Sequence, residues 1–188
     1  DFQAALETQP EKAIKLEKDA LAQIETITAD NARLVSNLHA NLGGLYRMNG
    51  YPDLAREHME KSISLLDQFN LLHINDSIPQ IANYAMFLTE QQEPERGISE
   101  LQKLSGIIKE YHSDECLDYA KVQETLATIY LMTANLSHAK THFKKAFKIY
   151  EKIWADEPEM IEAKYREIQE LYPQIGFSIG KTLSGLLT

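Results

Sequence analysis

This sequence has a single cysteine, no long apolar run and no net positive charge. Its 188 residues include one cysteine, Cys116, so no disulfide can form within the chain, and a reducing compartment, the cytoplasm, is the expected location. No apolar run approaches the roughly 20 residues of a membrane span. The net charge of −9 argues against a nucleic-acid surface, which needs clustered, uncompensated Lys and Arg. We therefore expect neither a membrane nor a nucleic acid as a partner of this domain.

The chain also lacks an initiator methionine and any signal-peptide pattern, and we expect it to be an excerpt from a longer protein. Hydrophobic residues make up 44% and charged residues 25%, which are ordinary values for a soluble globular domain. A chain of this length is sufficient for one domain with a substantial core.

A true phosphate-binding loop is missing, although GFSIGKTLSG at residues 176–185 suggests one. The nucleotide-binding motif is G-x-x-x-x-G-K-[ST], and it follows a buried strand. Here Gly176 and Gly180 enclose three residues rather than four, and a helical pattern precedes them. Gly176 is better explained as a turn between two helices, so no nucleotide or other cofactor is expected.

What the sequence does contain is a period of 42 residues. Pro10, Pro52 and Pro94 stand 42 residues apart, and each opens a run with helical spacing. Proline is tolerated at the first position of a helix, where its missing N–H has no partner anyway. The pattern predicts three equivalent helix starts, with residues 2–7 as the tail of an earlier helix. A fourth start is predicted at Leu136, with Ser137 as its N-cap.

The helix before each start repeats as well. Small residues recur at matched positions of both helices, which predicts close packing with large apolar groups on either side. They are Gly43, Ala85 and Ala127 in the first helices and Ala55, Gly97 and Ala139 in the second helices. Because one helix pair cannot bury its apolar face alone, successive pairs are predicted to stack.

The run Leu42-Gly43-x-x-Tyr46, followed by Ala55 and Met59, resembles the tetratricopeptide repeat signature L-G-x2-Y…A-x3-F. The 42-residue period is similar to that of the subclass found in kinesin light chains and many bacterial regulators. The resemblance implies an all-α, right-handed superhelix of antiparallel helix pairs. We expect one solenoid over residues 1–188, divided into a partial repeat (1–29), three full repeats (30–71, 72–113 and 114–155) and a partial repeat with a capping helix (156–188).

In this family the first helices of successive repeats line a concave groove that holds peptides. The resemblance places these residues in the groove: Asn37, Asn41, Arg47, Met48, Asn83, Met86, Glu90, Lys121, Glu124, Thr128, Arg166 and Glu170. The amides of Asn41 and Asn83 can donate to and accept from a peptide backbone without demanding a particular sequence. Hydrogen bonds to neighbouring side chains within the chain are the alternative.

Chaperone-binding members of the family clamp a partner's C-terminal carboxylate with five residues. Asn83 and Lys121 match two of these positions. Ala40, Gly44 and Thr125 stand where lysine, asparagine and arginine would be needed. The resemblance therefore does not extend to this clamp, and a chaperone tail is not the expected partner.

No catalytic residue and no metal site is predicted. His138 and His142 stand four residues apart, but no third ligand accompanies them, and His58 occupies the position equivalent to His142. Solvated surface histidines are the expected explanation. Cys116 lies near His112 in a loop between repeats and is expected to be partly buried and structural.

A stripe of lysines is expected to be solvated, or neutralised by the acidic segment 156–170 that follows it, with an anionic partner as the alternative. Its members are Lys140, Lys144, Lys145, Lys148 and Lys152.

The C-terminal stretch has an apolar face. Ile179, Leu183, Leu186 and Leu187 recur at helical spacing and predict a capping helix within residues 177–188. If this helix does not cover the last repeat, its exposed face becomes a contact between copies of the chain, and a homo-oligomer is expected.

Taken together, these patterns favour a non-enzymatic scaffold that binds a protein or peptide and is one module of a larger protein. Two alternatives remain open. One is a peptide-sensing regulatory domain of a bacterial transcription regulator, and the other is a self-assembly module.

Overall fold

The computed structural model describes the backbone of residues 2–173 and the side chains of residues 10–173. This part of the chain is helical and contains no strand. Its helices are α1 (Phe2–Ala22), α2 (Ala32–Met48), α3 (Pro52–Gln68), α4 (Ser77–Glu90), α5 (Pro94–Tyr111), α6 (Leu117–Met132), α7 (Leu136–Ile153) and α8 (Pro158–Leu171). None of the helices in this part is long and apolar enough to cross a membrane.

A left-handed residue reverses the chain between the two helices of each pair. Gly50 has φ of 76°, Gln92 of 65° and Ala134 of 58°, and these residues stand 42 apart. The amide after each one donates to the carbonyl five residues earlier, from Tyr51 to Tyr46 at 3.0 Å, from Glu93 to Leu88 at 2.8 Å and from Asn135 to Tyr130 at 2.7 Å. This arrangement satisfies carbonyls that the end of a helix leaves without partners.

Three of the four predicted helix starts are confirmed. The helix α3 begins at Pro52, α5 at Pro94 and α7 at Leu136. The predicted N-cap of α7 is wrong by two residues, because the Oδ1 atom of Asn135 accepts from the amide of His138 at 3.4 Å.

The start predicted at Pro10 is wrong. The helix α1 runs from Phe2 to Ala22 with Pro10 inside it, so residues 2–7 are not the tail of a separate helix. The position that holds the left-handed residue in later repeats is Thr8 in this one. A β-branched residue strongly disfavours positive φ, so the reversal is not made here and the helix continues.

Two compact units divide the chain, Asp1–Ile107 and Ile108–Thr188. In the first unit α2 packs against α3, and the core cluster consists of Leu42, Tyr46, Ala55, Met59, Tyr84, Phe87 and Leu88. In the second unit α6 packs against α7. There Phe147 of α7 stacks on Tyr165 of α8 with ring centroids 4.0 Å apart.

The small residues permit the close helix packing that the sequence predicts. A Cβ atom added to Gly43 would lie 2.6 Å from Met59 Cγ, and one added to Gly97 would lie 2.6 Å from the carbonyl oxygen of Ala85. In the second unit Ala127 and Ala139 are completely buried. Side chains larger than these would force the two helices of a pair apart.

Gly97→Ala is expected to lower the free energy of unfolding by about 1–3 kcal/mol, because the new methyl group meets the backbone oxygen of Ala85. Gly106→Ala is the matched control in the same helix, since a Cβ atom there meets nothing within 4 Å. The control should gain up to about 1 kcal/mol from the better helix propensity of alanine. Urea unfolding measures both variants, and equal stabilities would contradict the packing at Gly97.

Candidate peptide-binding groove

A groove of about 240 Å³ opens in the first unit between α2, α3 and α4. It is lined by Ala40, Gly44, Arg47, Met48, Met59, Ser62, Gln80 and Asn83. Three residues of the predicted site, Arg47, Met48 and Asn83, are among them. The sequence reasoning did not identify Met59, Ser62 and Gln80 as groove residues, because it considered only the first helix of each repeat and one face of α4.

Gln80 is held in the groove by a chain of hydrogen bonds. Its Oε1 atom lies 2.6 Å from the hydroxyl of Ser62 and 2.8 Å from that of Ser36. Its Nε2 atom donates to Oδ1 of Asn37 at 2.5 Å, and the amide of Asn37 donates to Asp76 at 3.3 Å. The predicted groove residue Asn37 therefore orients Gln80, which in turn lines the groove.

Arg47 does not bring an uncompensated positive charge to the groove. Its Nε atom donates to Oε2 of Glu90 at 2.8 Å, and its Nη2 atom donates to the other carboxylate oxygen. A bidentate pair of this kind fixes both side chains. Both residues belong to the predicted site, and together they connect the ends of α2 and α4.

Two lining residues remain available to a ligand. The side chain of Met48 is 84% exposed. The amide of Asn83 is exposed and has no hydrogen-bond partner among residues 10–173. These two side chains offer an apolar surface and a donor–acceptor pair at the same opening.

The remaining predicted residues of the first unit lie outside the lining. The amide of Asn41 donates to Glu17 of α1 at 3.0 Å, which is the intrachain alternative described above. Met86 is partly buried in α4. Both stay predicted groove residues.

In the second unit the predicted residues are mostly engaged with neighbouring side chains. Glu124 accepts from Tyr150 at 2.6 Å, and its other oxygen pairs with Lys164 of α8 at 2.7 Å. Thr128 donates to the carbonyl of Glu124 at 3.1 Å, and Lys121 pairs with Asp118 at 3.6 Å. The predicted residues on α8, Arg166 and Glu170, are exposed. All five stay predictions.

The pair of Glu124 and Lys164 is partly buried, with 19% of each side chain exposed. Burial acts to lower the pKa of Lys164, but the hydrogen bond to Glu124 and its charge outweigh this effect, and the pKa is raised. Lys164 is therefore a cation that attaches α8 to α6.

The expectation of solvated histidines is wrong for His58 and His142. The Nδ1 atom of His58 lies 2.8 Å from Nδ1 of the buried His39. The Nδ1 atom of His142 lies 2.8 Å from Oε1 of Gln123, which occupies the position equivalent to His39. The ring of Tyr46 stacks on His58, and that of Tyr130 stacks on His142. Both histidines are therefore partly buried between their helices.

His39 and His142 are neutral near physiological pH. Burial lowers the pKa of His39 to about 4, and the charges of His58 and Lys61 add to the effect. Burial also lowers the pKa of His142 to about 4, with Lys145 and His138 contributing. No group of three metal-ligating side chains is found within the described residues.

Cys116 is the N-cap of α6. Its sulfur accepts from the amide of Tyr119 at 3.5 Å and donates to the carbonyl of Ser113 at 3.1 Å. The thiol is partly buried, as the sequence predicted. The predicted turn at Gly176 and the capping helix within residues 177–188 lie outside the described residues.

Residues 77–152 match the family model described as tetratricopeptide repeat. These residues are tetratricopeptide repeats. The match runs from α4 almost to the end of α7 and confirms the predicted resemblance, together with the all-α helical-repeat fold class. Tetratricopeptide repeats are helical scaffolds that typically bind proteins or peptides.

A solved structure shows the same fold over a larger part of the chain. The crystal structure of BtubC (BKLC) from P. vanneervenii, a kinesin light chain-like tetratricopeptide repeat protein, matches with a TM-score of 0.67 and 19% identity. The match covers 79% of this chain and 58% of the BtubC chain, so the present chain spans little more than half of that protein. At this identity the likeness shows the fold alone. No curated protein matches the sequence.

The free energy of unfolding is expected to fall as the pH is lowered from about 6.5 to about 4. His39 binds a proton near pH 6.5 in the unfolded chain but only near pH 4 in the folded chain, so the unfolded state takes up more protons in this window. His39→Gln introduces the residue that stands at the equivalent position 123. This variant should keep its stability at pH 7 within about 1 kcal/mol and lose less of it at pH 5.

Urea titrations at pH 7 and pH 5 measure the effect. The control is His112→Gln, which removes an exposed histidine that is not among the charges acting on His39 or His142 and should retain the acid sensitivity of the parent. If His39→Gln loses as much stability between the two pH values as this control does, the buried pair is not the origin of the acid sensitivity.

Proposed function

We propose that the chain is a non-enzymatic scaffold and that the groove of the first unit binds an extended peptide segment of a partner protein. The observation that carries the proposal is the combination of an exposed Met48 and an unpartnered Asn83 amide at one opening of about 240 Å³. A concave, largely apolar surface with a few oriented polar groups is the usual form of a binding site.

The groove offers a peptide two kinds of contact. Asn83 can donate to and accept from a peptide backbone, and Gln80 is held in place beside it by Ser62 and Asn37. Met48 provides a flexible, exposed apolar side chain that adapts to different ligand side chains, beside the buried Met59. This chemistry favours recognition of the main chain together with one apolar side chain.

The charge of the groove argues against a carboxylate terminus as the ligand. Arg47 is neutralised by Glu90. Ala40 and Gly44 also line the groove, at the two positions where a carboxylate clamp would need lysine and asparagine. The favoured ligand is therefore an internal segment of a protein with a neutral, apolar side chain.

Gly44→Leu tests the groove by filling it. A Cβ atom at Gly44 meets nothing within 4 Å, so the longer side chain is expected to extend into the opening without unfolding the helix. Peptides selected from a random library by the purified protein supply the ligand, and fluorescence anisotropy measures their affinity. Gly44→Leu should weaken binding by at least about tenfold, and Asn83→Ala by about threefold to tenfold.

The matched control is Gly106→Leu, since Gly106 is also a helical glycine with open space around it and lies outside the groove lining. It should bind like the parent. Selected peptides that bind Gly44→Leu as tightly as the parent would show that the ligand lies elsewhere.

A further inference from the structure

The second unit contains a cleft of about 290 Å³ with a different chemistry. We call it the basic cleft. It is lined by Lys109, Asp114, Glu115, Tyr119, Lys145, Lys148, Ile149 and Lys152. Four lysines therefore surround a small opening in a chain whose net charge is −9.

Only two of these four lysines have a carboxylate partner. Lys109 pairs with Asp114 at 3.4 Å, and Lys152 pairs with Glu115. Lys145 and Lys148 are exposed and form no ion pair with any residue between 10 and 173. The exposure of Lys145 and Lys148 agrees with the solvated lysines that the sequence predicts, and Lys152 pairs with a loop residue that precedes α6 rather than with the acidic segment 156–170.

The floor of the cleft is formed by two largely buried side chains. Tyr119 and Ile149 are 8% and 7% exposed. The ammonium group of Lys109 lies 5.2 Å from the centre of the Tyr119 ring, which is within the range of a cation–π contact. A ligand would therefore meet buried walls below and free ammonium groups at the rim.

Repulsion between neighbouring lysines destabilises α7. Lys144, Lys148 and Lys152 follow one another at intervals of four residues, so their side chains are neighbours on the surface of α7. Like charges at this spacing repel each other and destabilise a helix. An anionic ligand would relieve this repulsion.

We propose that the basic cleft binds an acidic segment of a partner protein, whose carboxylate or phosphate oxygens contact Lys145 and Lys148. A concave opening of this size accommodates one or two acidic side chains. It lacks the long row of cations that a nucleic acid backbone requires, and its concave form suits a side chain better than a flat lipid surface.

The test uses Lys145→Ala/Lys148→Ala in the full chain. The probes are a fluorescein-labelled hexaglutamate peptide, a peptide of equal length with alternating phosphoserine and glycine, and a neutral serine–glycine peptide. At about 50 mM salt we expect the parent to bind at least one anionic peptide, and about 300 mM salt to weaken that binding. The double variant should bind about tenfold more weakly.

Lys140→Ala/Lys144→Ala is the matched control, because it removes the same charge from the same helix but from outside the cleft lining. It should weaken binding clearly less than Lys145→Ala/Lys148→Ala does, because neither Lys140 nor Lys144 lines the cleft and can contact the ligand there. The ratio of the affinities for the two anionic peptides identifies carboxylate or phosphate as the preferred group. Gly44→Leu should leave this binding unchanged, so the present proposal and the proposed groove function can fail independently.

Three results would overturn the proposal: no binding of either anionic peptide, equal weakening by the two double variants, or sedimentation with phosphatidylserine vesicles without any binding of the peptides. The last result would identify the lysines as a membrane contact.

Discussion

The close approach of the two helices in each pair is the constraint on which the rest of this structure depends. At Gly97 the neighbouring helix is so near that any side chain would collide with the carbonyl oxygen of Ala85. Ala127 and Ala139 are completely buried at the equivalent positions of the second unit. This contact uses one face of each helix and leaves the other faces to further helices or to solvent. The groove lies beside such a contact, since Met59, which lines it, also lies against Gly43.

The polar contacts inside the helix pairs follow the same repeat as the apolar ones. His39 contacts His58 in one pair, and Gln123 contacts His142 at the equivalent positions of another. An imidazole and an amide can replace each other here because each places a hydrogen-bonding atom 2.8 Å from the Nδ1 atom of the histidine. A buried hydrogen bond of this kind favours one register of the helices, since any other would leave a polar group without a partner.

The two candidate surfaces differ in charge because their cations have different partners. In the first unit Arg47 pairs with Glu90, and Arg56 pairs with Glu93 at 2.6 Å. The groove beside Arg47 is therefore close to neutral. In the second unit Lys145 and Lys148 lack such partners among the described residues. The two proposals therefore call for two chemically different partner segments.

Local sequence spacing was sufficient to predict the helix pairs of this protein and most of the starts of their second helices, because each depends on neighbours within a few residues. The predicted helix start at Pro10 was wrong. The 42-residue period places a start there, but the β-branched Thr8 disfavours the left-handed conformation that would reverse the chain before it. The family resemblance placed Arg47, Met48 and Asn83 in a groove, and these three side chains line the cavity of the first unit. Only the tertiary structure decided which side chains meet across helices. Gln80 joins the groove through Ser62 and Asn37, Glu124 holds Lys164 from 40 residues away, and a tyrosine covers His58. Periodicity specifies the face on which a side chain lies, whereas its partner depends on how far neighbouring side chains reach across the packed helices.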